Sequence, residues 1–331
     1  MTSGTAVVPA ERLAGVVGLL REVGDLKRVR TADAPGSVAQ RAFVRAWAAL
    51  VGGDDPERVA ARECAAAVAG ARLAGVDGPV LRRCWLTADE ATAVLGRAVD
   101  EVAGGLHPAV GTRLHAVLPE LAGPPDRDME PYRGSQGAPD RDMEPYRGPD
   151  GLPPFVGALC RQPRAGATAP GKPRVIVEPP EDHAEHCWAV AVYGALLADD
   201  VGAVPADAFL LGIAHHLHNA VLPDAGFAGE VLLGEHLDPV LHRLTERELA
   251  TLPTALAGRV RALLALRADA ETPVGRAFHA ADVLDRVLQV HHHARVAGFT
   301  VDQALVDLEL VHVSPVSAYH EAVLAAAGLG P

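Results

Sequence analysis

Apolar residues recur at helical spacing through two long parts of this 331-residue chain, and this periodicity most strongly limits the folds that the chain can adopt. No alternation of strand and helix patterns accompanies it, so a parallel sheet is not expected. Aromatic residues make up only 4% of the chain, and alanine, valine and leucine supply most of its apolar side chains. Because alanine and leucine are strong helix formers, the sequence predicts an all-α fold.

A short segment between the two parts breaks the helical pattern. Residues 123–152 are rich in proline, glycine and charge, and the run PDRDMEPYRG occurs twice, at Pro125–Gly134 and Pro139–Gly148. Such a composition cannot supply a core, so a flexible linker is predicted. The alternative is a peptide docking motif that is displayed twice, around Tyr132 and Tyr146.

The linker separates a helical N-terminal region, residues 1–122, from a C-terminal domain, residues 153–331. The helices predicted in the first region are Ala6–Val23, Val38–Val51, Pro56–Leu73 and Thr87–Ala103. His107 and His115 stand alone there, and no catalytic constellation is recognisable. The region is therefore interpreted as a partner-binding or dimerising module, and a homodimer is an expected assembly.

Charge and composition exclude several classes of protein. The formal net charge of −12 argues against binding to nucleic-acid polymers, which requires a basic face. No apolar run approaches the roughly 20 residues of a membrane span, and the first residues lack the features of a signal peptide. With four scattered cysteines and no C-x-x-C pair, a cytoplasmic, disulfide-free protein is expected. A small anionic substrate remains compatible, because a bound metal inverts the local field.

Histidine is concentrated in the second half of the chain, where 13 of the 15 lie from His183 onward. Histidine is the commonest metal ligand among side chains, so this concentration points to a metal site. The helices predicted around these histidines are Asp182–Asp199, Ala206–Leu222, a stretch inside Thr245–Arg267, Pro273–Ala297, Val301–Leu308 and Ser317–Ala327.

Three of these helices carry polar residues on apolar faces. A capping box formed by Asp182 and Glu185 starts the first helix and places His186 in its first turn. The second helix places His215 and His218 on one stripe, with His216 about 100° around the axis. Buried imidazoles need partners, and a shared metal ion or hydrogen bonds to the backbone would both satisfy them.

The third helix carries an aspartate inside an apolar run. Asp282 lies within Ala280–Val290 and shares a face with His279 and His293. A buried aspartate also needs a partner, which a cation shared with the histidines would supply.

In this order and spacing, the three segments resemble the HD superfamily of metal-dependent phosphohydrolases, most closely its 5′-deoxynucleotidase-like branch. The resemblance covers roughly residues 153–301 and implies an HD-type helical bundle, with His186, His215 and Asp282 as metal ligands. The matching segments are AEHCWAVAVYGALLA (Ala184–Ala198), LLGIAHHLHNAVLPD (Leu210–Asp224) and ETPVGRAFHAADVLDRVLQV (Glu271–Val290).

The chain departs from that family at two positions. His216 stands where the family has the aspartate that gives it its name, and Asn219 stands where the branch has a catalytic glutamate. An amide cannot take a proton from water, so that base is missing, whereas Asp224 is retained where the branch has its second acid. With His216 as the fourth ligand, three imidazoles and one carboxylate suit Fe, Mn, Co, Ni or Zn better than Mg.

The resemblance favours a metal-dependent hydrolase of a phosphate ester, with a nucleotide as one candidate substrate. Asp224 would act as the base and His218 as a helper, while three arginines could replace the branch's phosphate-binding motif only loosely: Arg161, Arg164 and Arg174.

Two other functions stay open. One is a non-haem di-iron oxygenase, whose second metal would use His218, His236 and His242, supplemented by His279 and His293. The other is a degenerate, non-catalytic module that binds a metal or a ligand.

Overall fold

The computed structural model describes residues 8–123, 151–176, 178–296, 300–307, 310–311 and 313–329, and their fold is all-α, as predicted. The repeated linker motif lies outside the described residues. The helices of the first region are α1 (Ala10–Asp25), α2 (Val38–Val51), α3 (Pro56–Leu73), α4 (Gly78–Arg83), α5 (Ala88–Val102) and α6 (Pro108–Ala122). A short antiparallel hairpin, β1 (Arg30–Thr31) and β2 (Ala34–Ser37), joins α1 to α2.

The second region continues with α7 (Pro154–Leu159), α8 (His183–Leu197), α9 (Pro205–Ala214), α10 (Gly226–Leu233), α11 (Leu237–Leu249), α12 (Thr254–Leu264), α13 (Pro273–Val296) and α14 (Ser317–Ala326). A π-helical turn at Gln303–Asp307 lies between α13 and α14. None of the described helices is both long enough and apolar enough to cross a lipid bilayer.

The central helix is α8, and all of its residues are buried. The predicted capping box of Asp182 and Glu185 is present at its start, which fixes His186 in the first turn. Helices α2, α3, α9 and α13 pack around it. Since α2 and α3 belong to the N-terminal region, the two predicted regions share one hydrophobic core, whereas the boundary at residues 123–152 stays a prediction.

The expectation of one helix over Ala206–Leu222 is wrong. Helix α9 ends at Ala214, and a 3-10 turn at Leu217–Ala220 follows. The imidazole of His215 is hydrogen-bonded to the carbonyl of Gly212, and the imidazole of His216 to Asn219. These side-chain contacts compete with the helical pattern. His215 and His216 therefore follow the end of α9, and His215 does not share a helical stripe with His218.

Helices α8 and α9 approach each other closely at Gly212. A Cβ atom there would lie 2.5 Å from the Cα of Ala191, which is too close for any side chain. The absence of a side chain at Gly212 thus lets the end of α9 bring His215 up to His186.

We expect Gly212→Ala to destabilise the fold by about 1–3 kcal/mol, because the added methyl group must push α9 away from α8. Gly194→Ala is the matched control on the same interface, since its Cβ would meet Ala208 at an ordinary distance of 3.4 Å. Urea unfolding measures the free energy of unfolding of both variants. Equal stabilities of the two variants would contradict the close approach at Gly212.

Candidate metal site

His186 is fully buried and held by a carboxylate. Its Nδ1 lies 2.8 Å from Oδ2 of Asp285, which is one turn of α13 beyond Asp282. The pKa of Asp285 is lowered: burial alone would raise it, but Lys27 and His186 outweigh that effect. An ionised carboxylate only accepts, so Nδ1 of His186 donates to Asp285, and Nε2 of His186 faces the other way. Metal-binding histidines are commonly oriented by a carboxylate in this way.

His215 is oriented in the same sense by the backbone. Its Nδ1 donates to the carbonyl oxygen of Gly212 at 2.6 Å, which leaves the lone pair on Nε2. Burial, reinforced by His186, lowers the pKa of His215 well below its usual range. The imidazole is therefore neutral near pH 7, which is the form that binds metals.

Nε2 of His186 has an imidazole nitrogen and a carboxylate oxygen as neighbours. Nε2 of His186 lies 3.2 Å from Nε2 of His215 and 3.4 Å from Oδ1 of Asp282. The pKa of Asp282 is well below its usual range, because Arg286 and His186 outweigh the effect of burial. Two lone pairs and a carboxylate oxygen repel each other at such distances unless a proton or a metal ion lies between them.

The spacing of these atoms fits a metal ion. Bonds of about 2.0–2.1 Å in tetrahedral coordination place neighbouring ligand atoms about 3.3 Å apart, and the two observed distances bracket that value. Nitrogen atoms of His186, His215 and His216 all lie within 4.8 Å of one another. The buried cluster can thus hold a metal ion, and the identity of the ion stays a prediction.

His216 lies beside the other two histidines, but the lone pair on its Nε2 already accepts a hydrogen bond. Its Nδ1 donates to Oδ1 of Asn219 at 2.7 Å, and its Nε2 accepts from Nη1 of Arg164 at 2.9 Å. Coordination by His216 would require Arg164 to leave, so its role as the fourth ligand stays a prediction. Asn219, which also donates to the carbonyl of Leu222, fixes the tautomer of His216.

Asp224 lines the cavity in front of these histidines, but its carboxylate is hydrogen-bonded to backbone amides. Its two oxygens accept from the amides of Ala165 and Gly226, each at 2.9 Å. Burial alone would raise its pKa, but Arg164 and the Ala165 amide outweigh this effect and lower it. Asp224 is accordingly a weak base, and it ties residues 164–168 to the start of α10.

His218 does not reach the cavity. It is buried in the 3-10 turn after α9 and is not among the described residues that line the cavity. Burial, followed by the charge of Arg267, lowers its pKa to about 3. The helper role of His218 stays a prediction.

The cavity has a volume of about 280 Å³, and arginines from three segments line it. Arg164 precedes α8, Arg267 follows α12 and Arg286 lies on α13. His215, His216 and Asp282 are part of its wall. Phe227, Phe278, Val290 and Leu310 add apolar surface. Sequence reasoning missed Arg267 and Arg286, which follow no local motif.

Two of the five histidines proposed for a second metal line this cavity. His236 and His242 are exposed on the segment from α10 to α11 and are not part of the described cavity wall. His279 and His293 do line it, but His279 faces His320 at 3.3 Å and His293 faces Gln289 at 2.8 Å. His293 is fully buried.

A buried lysine lies behind His186. Glu181, His186 and Asp285 also have ligand atoms within 4.8 Å of one another, but the ammonium of Lys27 already contacts both carboxylates. Burial alone would lower the pKa of Lys27, yet Asp285 and Glu181 raise it overall, so it stays charged. The sequence offered one signal for this group: Asp285 lies three residues after Asp282 in the same apolar run.

Comparisons with protein-family models, with curated proteins and with solved structures find no match for this chain. The resemblance to the HD superfamily therefore depends on the three segments that carry His186, His215 and Asp282. These residues lie far apart in the sequence, and the fold places His215 and Asp282 each beside Nε2 of His186.

Proposed function

We propose that this chain is a metal-dependent hydrolase of a small phosphate ester, as the resemblance to the HD superfamily implies. The observation that carries the proposal is that Nε2 of His186 lies close to both Nε2 of His215 and Oδ1 of Asp282, beside an arginine-lined cavity. The proposed ligands are these three side chains. A tetrahedral catalytic ion with three protein ligands keeps one position for substrate or water.

The bound ion would supply two things, polarisation of a phosphoryl oxygen and a lower pKa for a bound water. The phosphate itself would be held by the chain's own arginines. A guanidinium presents a planar pair of donors that matches phosphate oxygens, and it stays charged at any relevant pH. A cavity with three arginines therefore favours a doubly charged phosphate over a neutral substrate.

The arginines are anchored so that they face the cavity. Nη1 of Arg267 donates to the carbonyl of His215 at 3.1 Å, and Nη2 of Arg286 donates to the carbonyl of Leu310 at 2.8 Å. Nε of Arg286 is buried and has no hydrogen-bond partner among the described residues. A buried donor without a partner, such as this Nε, fits an anionic ligand.

Proton transfer is assigned to Glu230 on α10. Of the other carboxylates in the cavity wall, Asp282 is a proposed ligand, Glu181 pairs with Lys27, and Asp224 is held by amides. Glu230 is exposed at the rim, and partial burial together with the charge of Asp224 raises its pKa. A raised pKa brings a carboxylate closer to the value that suits general acid–base catalysis near neutral pH.

The test is a screen of metal-reconstituted protein for inorganic phosphate released from nucleoside monophosphates and from p-nitrophenyl phosphate. Reconstitution uses Mn, Co, Ni, Zn or Fe(II), each supplied alone. We expect metal-dependent release from at least one ester. If the protein binds a metal but releases no phosphate, the hydrolase is contradicted, and a binding module becomes the better description. Uptake of oxygen by the iron form would favour the oxygenase.

We also expect Arg286→Met to weaken the binding of inorganic phosphate to the metal-loaded protein by about 10- to 100-fold, the size of one or two charge-assisted hydrogen bonds. Arg243→Met is the matched control, because Arg243 is exposed on α11 away from the cavity wall. Isothermal titration calorimetry measures both. Equal phosphate affinities in the two variants would remove Arg286 from the anion site.

A further inference from the structure

Lys27 belongs to the N-terminal region, yet it contacts Glu181 and Asp285 behind the proposed metal site. It follows α1 and is almost completely buried. Its Nζ donates to Oε1 of Glu181 at 2.6 Å and to Oδ1 of Asp285. The partners are 154 and 258 residues away in the sequence, so only the folded chain brings them together.

The contacts continue to the proposed metal ligand. Asp285 uses one oxygen for Lys27 and the other for Nδ1 of His186, at 2.8 Å. An ionised carboxylate buried without a positive partner carries a large desolvation cost. The ammonium of Lys27 is thus the positive partner that fixes the Asp285 carboxylate against Nδ1 of His186.

The residue type fits this position. Only two of the chain's 30 basic residues are lysines, Lys27 and Lys172. An ammonium is compact and has three donors, so it can contact two carboxylates in a small space, whereas a guanidinium is wider and planar. The same ammonium occupies the place that a metal ion would take between Glu181 and Asp285.

We propose that Lys27 is a positioning residue: acting through Asp285, it holds the imidazole of His186 with Nδ1 protonated and Nε2 directed at His215 and Asp282. The effect on metal binding rests on the proposed function, but the tautomer of His186 does not. An N-terminal region that resembles no part of the HD pattern thus completes the metal site.

The first experiment uses the metal-free, full-length protein. Long-range ¹H–¹⁵N correlation spectra distinguish an imidazole protonated on Nδ1 from one protonated on Nε2. We expect the Nδ1–H form of His186 in the natural protein and a mixture of both forms in Lys27→Met. Lys172→Met is the matched control, since Lys172 is exposed and should leave His186 unchanged.

The second experiment measures Zn²⁺ and Co²⁺ affinity by competition with a chromophoric chelator. Outer-shell partners of metal ligands typically contribute 10- to 100-fold in affinity, so we expect a loss of about tenfold in Lys27→Met. Because Lys27 acts through Asp285, the variant with both Lys27→Met and Asp285→Asn should lose no more than Asp285→Asn alone. If the two substitutions instead cause independent losses of affinity that multiply in the double variant, Lys27 does not act through Asp285.

A variant that does not fold is replaced by a milder one. Lys27→Gln removes the charge but keeps a donor, and circular dichroism shows which variants are folded. The proposal is overturned if a folded Lys27 variant keeps both the tautomer of His186 and an affinity within about twofold of the natural protein. If the natural protein binds no metal, the proposed function fails, while the spectra still decide the role of Lys27.

Discussion

Replacing His215 with alanine should lower the affinity for the bound metal by more than about 100-fold, since changes at outer-shell partners alone cost 10- to 100-fold. Phosphate release should fall to background with it. His215 supplies one of three acceptor atoms at the proposed site, and its Nε2 lies 3.2 Å from that of His186. Elemental analysis after dialysis and competition with a chelator give the metal content and the affinity.

The matched control is His236→Ala. His236 is exposed near the end of α10 and is not part of the described cavity wall. It should keep the metal content and the activity of the natural protein. A His215→Ala protein that is folded and still holds a full equivalent of metal would show that the ion binds elsewhere.

Replacing Glu230 with glutamine should lower kcat by about 100-fold or more, the usual contribution of a general acid or base. KM should change little, because the arginines and the metal ligands stay in place. The amide has nearly the same shape but cannot exchange a proton. Steady-state kinetics on the best ester from the screen measure both constants.

Glu235→Gln serves as the control, because Glu235 is an exposed carboxylate just after α10. Asp224→Asn distinguishes between Glu230 and Asp224 as the base. If Glu230→Gln keeps its kcat and Asp224→Asn loses it at unchanged stability, the base is Asp224, despite its bonds to the amides of Ala165 and Gly226.

The residues that sequence reasoning found share a local signal. His186 follows a capping box, and Asp282 interrupts an apolar run, so each can be placed on a helix from its immediate neighbours. Periodicity predicts a helix that continues through His215 to Leu222, whereas α9 ends at Ala214. Periodicity does not register hydrogen bonds such as those from His215 to Gly212 and from His216 to Asn219, which accompany its end.

The residues that were missed depend on tertiary contacts. Lys27 lies in GDLKRVR, a polar stretch that gives no sign of burial, and becomes a core residue only because α1 packs against α13. By sequence pattern, Arg267 is an ordinary arginine at a helix end and Arg286 an ordinary arginine on a helix face. Their common feature is the cavity that they line, which no local spacing encodes.

We propose that His186, His215 and Asp282 hold one metal ion beside this cavity. Anomalous X-ray diffraction from crystals grown with Zn²⁺ or Mn²⁺ tests it most directly. We expect a single strong peak about 2.0–2.2 Å from Nε2 of both histidines and from a carboxylate oxygen of Asp282. No peak at this point, or a peak between Glu181 and Asp285 with Lys27 displaced, would contradict it.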